Sequence, residues 1–293
     1  MNYYDNIKQE LIHNEIYKKV KDYSKNRNDL ETYYKVGKIL FDAGKHYGDS
    51  IIKEYSKRLT EELGKGYSTT NLKYMRQFYL LIEKGQPMVD QLTWSHYTIL
   101  LSIKDENKRN YYINECIKNN LSKRILIQKI KLNEYERLDE NTKLKLNNKE
   151  EINIEDLIKN PIVIKNKGYD VISEKILKQL ILEDLDNFLT ELGDNFTYVG
   201  NEYKIKIGDR YNYIDLLLFN IEFNCYVVIE LKITELKAEY IGQIKKYMNY
   251  IDKNIRKINM DNTIGIIICK KENNFVMEYC SDDRIFSSKY ILI

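Results

Sequence analysis

The chain has 293 residues, of which 43% are hydrophobic and 31% are charged. This composition is typical of a globular protein with room for two domains, not of a disordered one. No apolar run approaches the roughly 18 residues that a membrane span requires, and the polar first ten residues do not resemble a signal peptide. We therefore expect a cytoplasmic protein with no membrane partner.

Charge is distributed unevenly along the chain, whose formal net charge is +3. Residues 1–150 hold 28 Lys and Arg against 21 Asp and Glu, whereas residues 151–293 hold 19 against 23. This asymmetry favours a nucleic-acid-binding first half. A general bias toward Lys, Asn, Ile and Tyr is the alternative explanation.

Histidine and cysteine usage restricts the chemistry. The three histidines, His13, His46 and His96, all lie in the first third of the chain. The second half alone therefore cannot form a Ser-His-Asp triad or a histidine-metal nuclease motif. The four cysteines are scattered without a CxxC pair, which favours reduced thiols over disulfides or a zinc site.

Helical periodicity up to about residue 135 predicts a mainly α-helical first domain, residues 1–135. A glycine-containing turn at residues 64–66 separates a predicted helix, 50–63, from a second one over 69–82, which matches a helix-turn-helix. Thr and Asn can contact base edges, and Lys and Arg can contact phosphates. The alternative is a pair of packed helices without DNA contact. The predicted DNA-binding residues are Ser68, Thr69, Thr70, Asn71, Lys73 and Arg76. Ser68 is also the predicted N-cap of the second helix.

Residues 136–165 are charged, Asn-rich and weakly periodic, and they predict a linker ahead of a second domain, residues 166–293. Helices alternate with apolar strands in that domain, which indicates an α/β fold with a central mixed sheet. The predicted helices span 173–192 and 234–251, and the predicted strands span 197–199, 202–207, 213–219, 225–233, 263–270, 275–279 and 289–293.

Two of these strands carry charged residues within apolar runs. Charged side chains are rarely buried unless they are paired or bind a metal. Asp215 lies on the first strand, and Glu230 and Lys232 point to one face of the next. If the hairpin register brings them together, they can hold a divalent metal and a water, because Mg²⁺ prefers oxygen ligands. The alternative is a structural Glu–Lys pair with an unrelated Asp.

The helix after the hairpin adds two polar residues. Gln243 and Tyr247 share a helix face at i and i+4, where Gln243 could bind a phosphate or a metal-bound water. Glu183, on the helix that opens the domain, is a further candidate carboxylate, although a solvated surface charge is the alternative.

Several segments resemble one family, in the same order along the chain. Residues 213–219, 228–232 and 243–247 are similar to the PD-(D/E)XK nuclease core with a QxxxY motif on the following helix. The match is closest to the bacterial YhcG-like family, formerly a domain of unknown function. The resemblance to its nuclease domain extends to residues 188–193 and 196–200. Its winged-helix-type N-terminal DNA-binding domain is similar to residues 33–38, 71–79 and 92–97.

The resemblance implies a restriction-endonuclease-like α/β (α+β) domain that acts as a Mg²⁺-dependent nuclease, with Mn²⁺ able to substitute. It implies Asp215 and Glu230 as metal ligands, Lys232 as the catalytic lysine, and Gln243 and Tyr247 as supporting residues. Ile214 stands where the superfamily name places a proline.

We therefore expect an endonuclease that cleaves DNA after binding it through the N-terminal domain, in restriction or defence. One alternative is a catalytically silent DNA-binding or assembly module of a larger complex, and another is an RNA-processing nuclease. A homo-oligomeric state stays open.

Overall fold

A computed structural model of the protein describes residues 2–20, 25–48, 50–85 and 91–293. The chain forms two compact units, Met1–Asn133 and Glu134–Ile293. Among the described residues, no helix combines the length and the apolar character that crossing a membrane would need.

The first unit consists of helices. Ser68 is the N-cap of α4, because its Oγ accepts a hydrogen bond from the Asn71 N–H at 3.2 Å. The two helices predicted on either side of the turn at 64–66 and the mainly helical character are confirmed. A wing needs strands and the described part of this unit contains none, so the winged-helix-type detail is not confirmed. The helices are α1 Tyr3–Val20, α2 Lys25–Tyr47, α3 Ile51–Leu63, α4 Thr69–Glu83, α5 Trp94–Leu100, α6 Glu106–Lys118 and α7 Lys123–Lys131.

Helices α2 and α4 approach closely at a glycine. A Cβ atom added to Gly37 would lie 2.1 Å from the backbone carbonyl oxygen of Met75. Glycine at this position therefore sets the spacing of two helices whose buried faces include Val36, Leu40 and Leu72.

The second unit is built on one six-stranded sheet, and the predicted mixed pairing of its strands is confirmed. Its strand order is β1-β6-β5-β4-β3-β2, and β2–β3 and β3–β4 pair antiparallel while the other neighbours pair parallel. The strands are β1 Ile162–Ile164, β2 Phe196–Ile207, β3 Arg210–Asn220, β4 Cys225–Glu235, β5 Ile264–Lys271 and β6 Ile285–Leu292.

Helices cover both faces of this sheet, which explains why its central strands are almost continuously apolar. Leu216 and Leu218 of β3 pack into the core shared with α10 and α11, whereas Leu217 packs into the core shared with α12. The helices of this unit are α8 Glu140–Asn148, α9 Ile154–Leu157, α10 Glu174–Glu183, α11 Leu185–Leu192, α12 Ala238–Asn254 and α13 Asn274–Cys280.

The predicted linker, residues 136–165, is instead folded into the second unit. It contains α8 and α9, and its strand β1 extends the sheet by pairing with β6. Its charged composition is misleading because several of its charges form ion pairs in which at least one partner is buried. The ion pairs are Arg137–Glu191, Lys145–Asp156 and Lys159–Glu134.

Four other predicted elements, one helix and three strands, differ from the structure. The helix predicted over 173–192 is two helices that meet at Asp184, which ends α10 and precedes α11. The two strands predicted over 197–207 are one strand, β2, with an irregularity between Tyr198 and Gly200. Residues 275–279 form helix α13 instead of a strand, because the Asn273 side chain caps that helix by accepting the Val276 N–H at 3.3 Å.

Candidate active site

The register of the β3–β4 hairpin makes Asp215 and Glu230 neighbours. The last registered pair is Leu216 with Ile229, so the next positions facing each other are Asp215 and Glu230. There the Asp215 Oδ2 accepts a hydrogen bond from the Leu231 N–H at 3.0 Å. The structure thus brings the two predicted carboxylates to one point at the end of the hairpin pairing.

Glu230 is almost completely buried, with 1% of its surface exposed. Its Oε2 accepts hydrogen bonds from Lys232 Nζ at 3.2 Å and from Gln243 Nε2 at 3.0 Å. Its Oε1 is also buried and has no hydrogen-bond partner among the described residues. Burial, reinforced by the negative charge of Asp215, raises the pKa of Glu230 to about 7.

Lys232 lies beside these carboxylates and is 8% exposed. Its Nζ is 4.0 Å from Glu174 Oε1, in addition to its contact with Glu230. Burial alone would lower the pKa of Lys232, but attraction by Glu230 and Glu174 outweighs it and raises that pKa above its usual value. The raised pKa favours the positively charged form of Lys232.

Helix α12 supplies Gln243 and Tyr247 from the same face, as the i, i+4 spacing predicts. The Gln243 Nε2 is also 3.2 Å from Tyr247 Oη. Tyr247 is buried, and burial raises the pKa of its phenol. Gln243 thus contacts both Glu230 and Tyr247 on the α12 side of the cluster.

Lys178 on α10 completes the cluster, and the sequence reasoning did not identify it. Its Nζ lies 3.1 Å from Asp215 Oδ1 and 3.0 Å from Glu202 Oε1. The sequence does place Glu174 and Lys178 on one helix face, at i and i+4. In the structure Glu174 contacts Lys232 of β4, whereas Lys178 contacts Asp215 of β3.

Glu183 does not join the cluster. Its carboxylate forms an ion pair with Lys167 at 2.8 Å and accepts a hydrogen bond from Gln179 at 2.8 Å. The hydrogen bond from Lys167 lowers the pKa of Glu183, which matches the alternative interpretation as a surface charge.

The residues predicted to bind DNA lie in the first half of α4 and at its N-cap, where Ser68 and Asn71 have structural roles. Ser68 caps the helix, and both amide atoms of Asn71 are engaged: Nδ2 donates to the Gly66 carbonyl at 2.6 Å and Oδ1 accepts from Trp94 Nε1 at 3.1 Å. Of the rest, Thr70 and Lys73 are exposed, and Thr69 and Arg76 are half-buried.

The cluster contains two carboxylates that could hold a cation. Within the described residues, no group of three or more His, Cys, Asp or Glu side chains is arranged to hold a metal ion. Asp215 and Glu230 are thus the candidate ligands, and a Mg²⁺ ion held by one or two carboxylates takes the rest of its shell from water and phosphate oxygens. The buried, unpartnered Oε1 of Glu230 is an acceptor that a cation would satisfy.

Comparison with known families divides the chain in two. Residues 155–293 match the YhcG PDDEXK nuclease domain, and residues 8–137 match the DUF1016 N-terminal domain. Both matches agree with the order of motifs expected from the sequence.

The chain is also similar to individual proteins that are named as nucleases. The Escherichia coli K12 protein named "Putative nuclease YhcG" is 28% identical, over 82% of this chain and 76% of its own length. A repair endonuclease from Pyrococcus abyssi is 19% identical over 42% of this chain, with a TM-score of 0.30. An EndoMS–dsDNA complex is 18% identical over 42% of this chain, also with a TM-score of 0.30. The matches span about half the length of those two solved chains (49% and 48%).

Proposed function

Since the chain belongs to the YhcG-like family, with a PDDEXK nuclease domain behind a DUF1016 N-terminal domain, we propose that it is a divalent-metal-dependent DNA endonuclease. The observation that carries the proposal is the buried Glu230 carboxylate, which has one unpartnered oxygen and stands beside Asp215. Burying an unpartnered carboxylate oxygen costs free energy, and a cation bound there would compensate for that cost.

Asp215 and Glu230 are the residues that would hold Mg²⁺, with Mn²⁺ as a substitute. When bound, such a cation supplies a water with a lowered pKa and positive charge beside the scissile phosphate. The rest of the cluster works by position: Gln243 fixes one oxygen of Glu230 at 3.0 Å and leaves the other free to bind. Tyr247 in turn packs behind Gln243.

Lys232 has the role of an electrostatic partner for the phosphate. Its ammonium group is charged and 8% exposed, and it contacts the carboxylate that would bind the metal. A fixed positive charge in a largely dehydrated site stabilises the negative charge that develops on phosphate oxygens during hydrolysis. Lys232 is therefore proposed to contact the scissile phosphate.

DNA is the proposed substrate because the first half of the chain is basic and because exposed Thr70 and Lys73 open helix α4. RNA is the second candidate, since carboxylates and a metal do not distinguish the sugar. Cytoplasmic location, a homo-oligomeric state and a role in restriction or defence stay predictions.

The test is incubation of the purified chain with duplex DNA, single-stranded DNA and RNA of matched sequence. We expect Mg²⁺ and Mn²⁺ to support cleavage of DNA, and EDTA to stop it. Retention of DNA without cleavage under any metal would instead indicate the silent binding module. Faster cleavage of RNA than of either DNA would indicate the processing nuclease.

A further inference from the structure

A cleft lined by lysines lies on the outer side of helix α12. It has a volume of about 580 Å³ and is formed by the β2–β3 turn and the solvent-facing side of the helix. Four lysines line it, together with neutral polar groups that include Asn249 and Tyr250, and none of its lining residues is acidic. The lysines are Lys206 at the end of β2 and Lys245, Lys246 and Lys253 on α12.

Three of these lysines have no acidic partner. Lys245 is paired with Asp282 at 2.9 Å, but no ion pair joins the other three to a carboxylate within the described part of the chain. The Lys246 Nζ donates to the neutral Asn212 Oδ1 at 3.0 Å, and the Lys206 Nζ lies 5.9 Å from the centroid of the Tyr211 ring. Like charges gathered without counter-charges repel each other, and an anionic ligand would relieve that repulsion.

The cleft borders the elements that carry the candidate active site. Asn212 precedes Asp215 by three residues on β3, and Lys246 follows Gln243 by three residues on α12. At about 1.5 Å of rise per residue, Lys253 lies about 15 Å along the helix from Gln243. Phosphates on one DNA strand are spaced about 3.4 Å along the duplex axis, so this distance spans about four of them.

On these grounds we propose that the cleft of Lys206, Lys246 and Lys253 binds the phosphate backbone of the DNA that is cleaved, a few nucleotides from the scissile bond. The exposed ammonium groups make sequence-independent contacts, and the Asn249 amide and Tyr250 hydroxyl supply neutral hydrogen bonds to phosphate or sugar. This inference rests on the proposed nuclease function. It gives the nuclease domain a DNA-binding surface of its own, in addition to the proposed DNA contacts of helix α4.

The experiment compares the full chain with the triple variant Lys206→Gln, Lys246→Gln and Lys253→Gln. Affinity for a labelled duplex is measured by fluorescence anisotropy in EDTA, from about 50 to 200 mM salt. Loss of three phosphate contacts should weaken binding about tenfold or more and reduce the slope of log affinity against log salt by about 2 to 3.

The matched control removes the same charge elsewhere in the same unit. Lys165→Gln, Lys167→Gln and Lys289→Gln act at the β1–β6 side of the sheet, opposite the edge formed by β2. The control should keep the affinity and salt slope of the unaltered chain, and thermal melts should show both variants folded. Equal binding by the triple variant and the control would overturn the proposal, as would an unaltered chain that does not bind the duplex.

Cleavage in Mg²⁺ separates this inference from the proposed function. If the unaltered chain binds DNA through these lysines but does not cleave it with any divalent metal, the nuclease function is rejected and the binding surface is retained. A chain that cleaves, with an unchanged KM in the triple variant, would reject the surface and leave the function standing.

Discussion

Replacing Asp215 with Asn is expected to reduce Mg²⁺-dependent DNA cleavage by at least about a hundredfold, because several kcal/mol of transition-state stabilisation depend on the bound cation. Asn retains the shape of the side chain and an oxygen that can accept the Leu231 N–H. It loses the negative charge that attracts the metal and the ion pair with Lys178. The readout is the initial rate of duplex cleavage at saturating Mg²⁺.

Asp261→Asn is the matched control for this variant. Asp261 is exposed ahead of β5, and its backbone N–H donates to the Asn224 carbonyl in the β3–β4 turn, so its substitution makes the same chemical change at the other end of the hairpin. We expect Asp261→Asn to cleave at the rate of the unaltered chain, and both variants to bind the duplex in EDTA. A rate for Asp215→Asn within about threefold of the control would remove Asp215 from the metal site.

Replacing Glu230 with Gln is expected to stabilise the metal-free protein at pH 8, even as it abolishes cleavage. The pKa of Glu230 in the folded protein is raised from 4.5 to about 7 by burial and then by Asp215. Folding therefore favours the protonated carboxyl, and this contribution is present in full below pH 4.5 and lost as the pH rises through 7. Ionised Glu230 then destabilises the fold by up to about 3 kcal/mol.

Gln imitates the protonated carboxyl, so this penalty disappears from the variant. The contact with Lys232 does not change the sign, because its attraction already lowers the pKa of Glu230 and that pKa still stands at about 7. The expected gain in Tm at pH 8 is several degrees in EDTA, and it should shrink toward zero near pH 4.5.

Two comparisons make the Glu230→Gln measurement specific. Glu239→Gln makes the same change at an exposed position of α12, where we expect an effect within about 0.5 kcal/mol. Added Mg²⁺ should raise the Tm of the unaltered chain but not that of Glu230→Gln, because only the former has the binding carboxylate. A Glu230→Gln variant that is less stable than the unaltered chain at pH 8 would refute this account of the buried charge.

The hairpin that carries the site could be predicted from the sequence because its physical signal is strong. Asp215, Glu230 and Lys232 interrupt apolar strands, and burial of such charges needs an explanation. Helix periodicity places Gln243 and Tyr247 on one face, and the resemblance to the nuclease core implies their supporting role. The sequence leaves the hairpin register open, and the Leu216–Ile229 pairing provides it.

Lys178 was missed because charge on an amphipathic helix normally faces solvent. Its contact with Asp215 depends on how α10 packs on the sheet, which local spacing does not specify. The predicted linker was wrong for a related reason. Charged, Asn-rich sequence suggests solvated chain, but pairs such as Arg137–Glu191 place those charges inside the fold.

Titration of Mn²⁺ into the metal-free protein, followed calorimetrically, tests the central claim most directly. The claim is that Asp215 and Glu230 together hold a divalent cation. We predict one Mn²⁺-binding site in the unaltered chain and its loss in the double variant Asp215→Asn, Glu230→Gln. Circular dichroism should show that the double variant is folded. Equal Mn²⁺ binding by the double variant and the unaltered chain would contradict it.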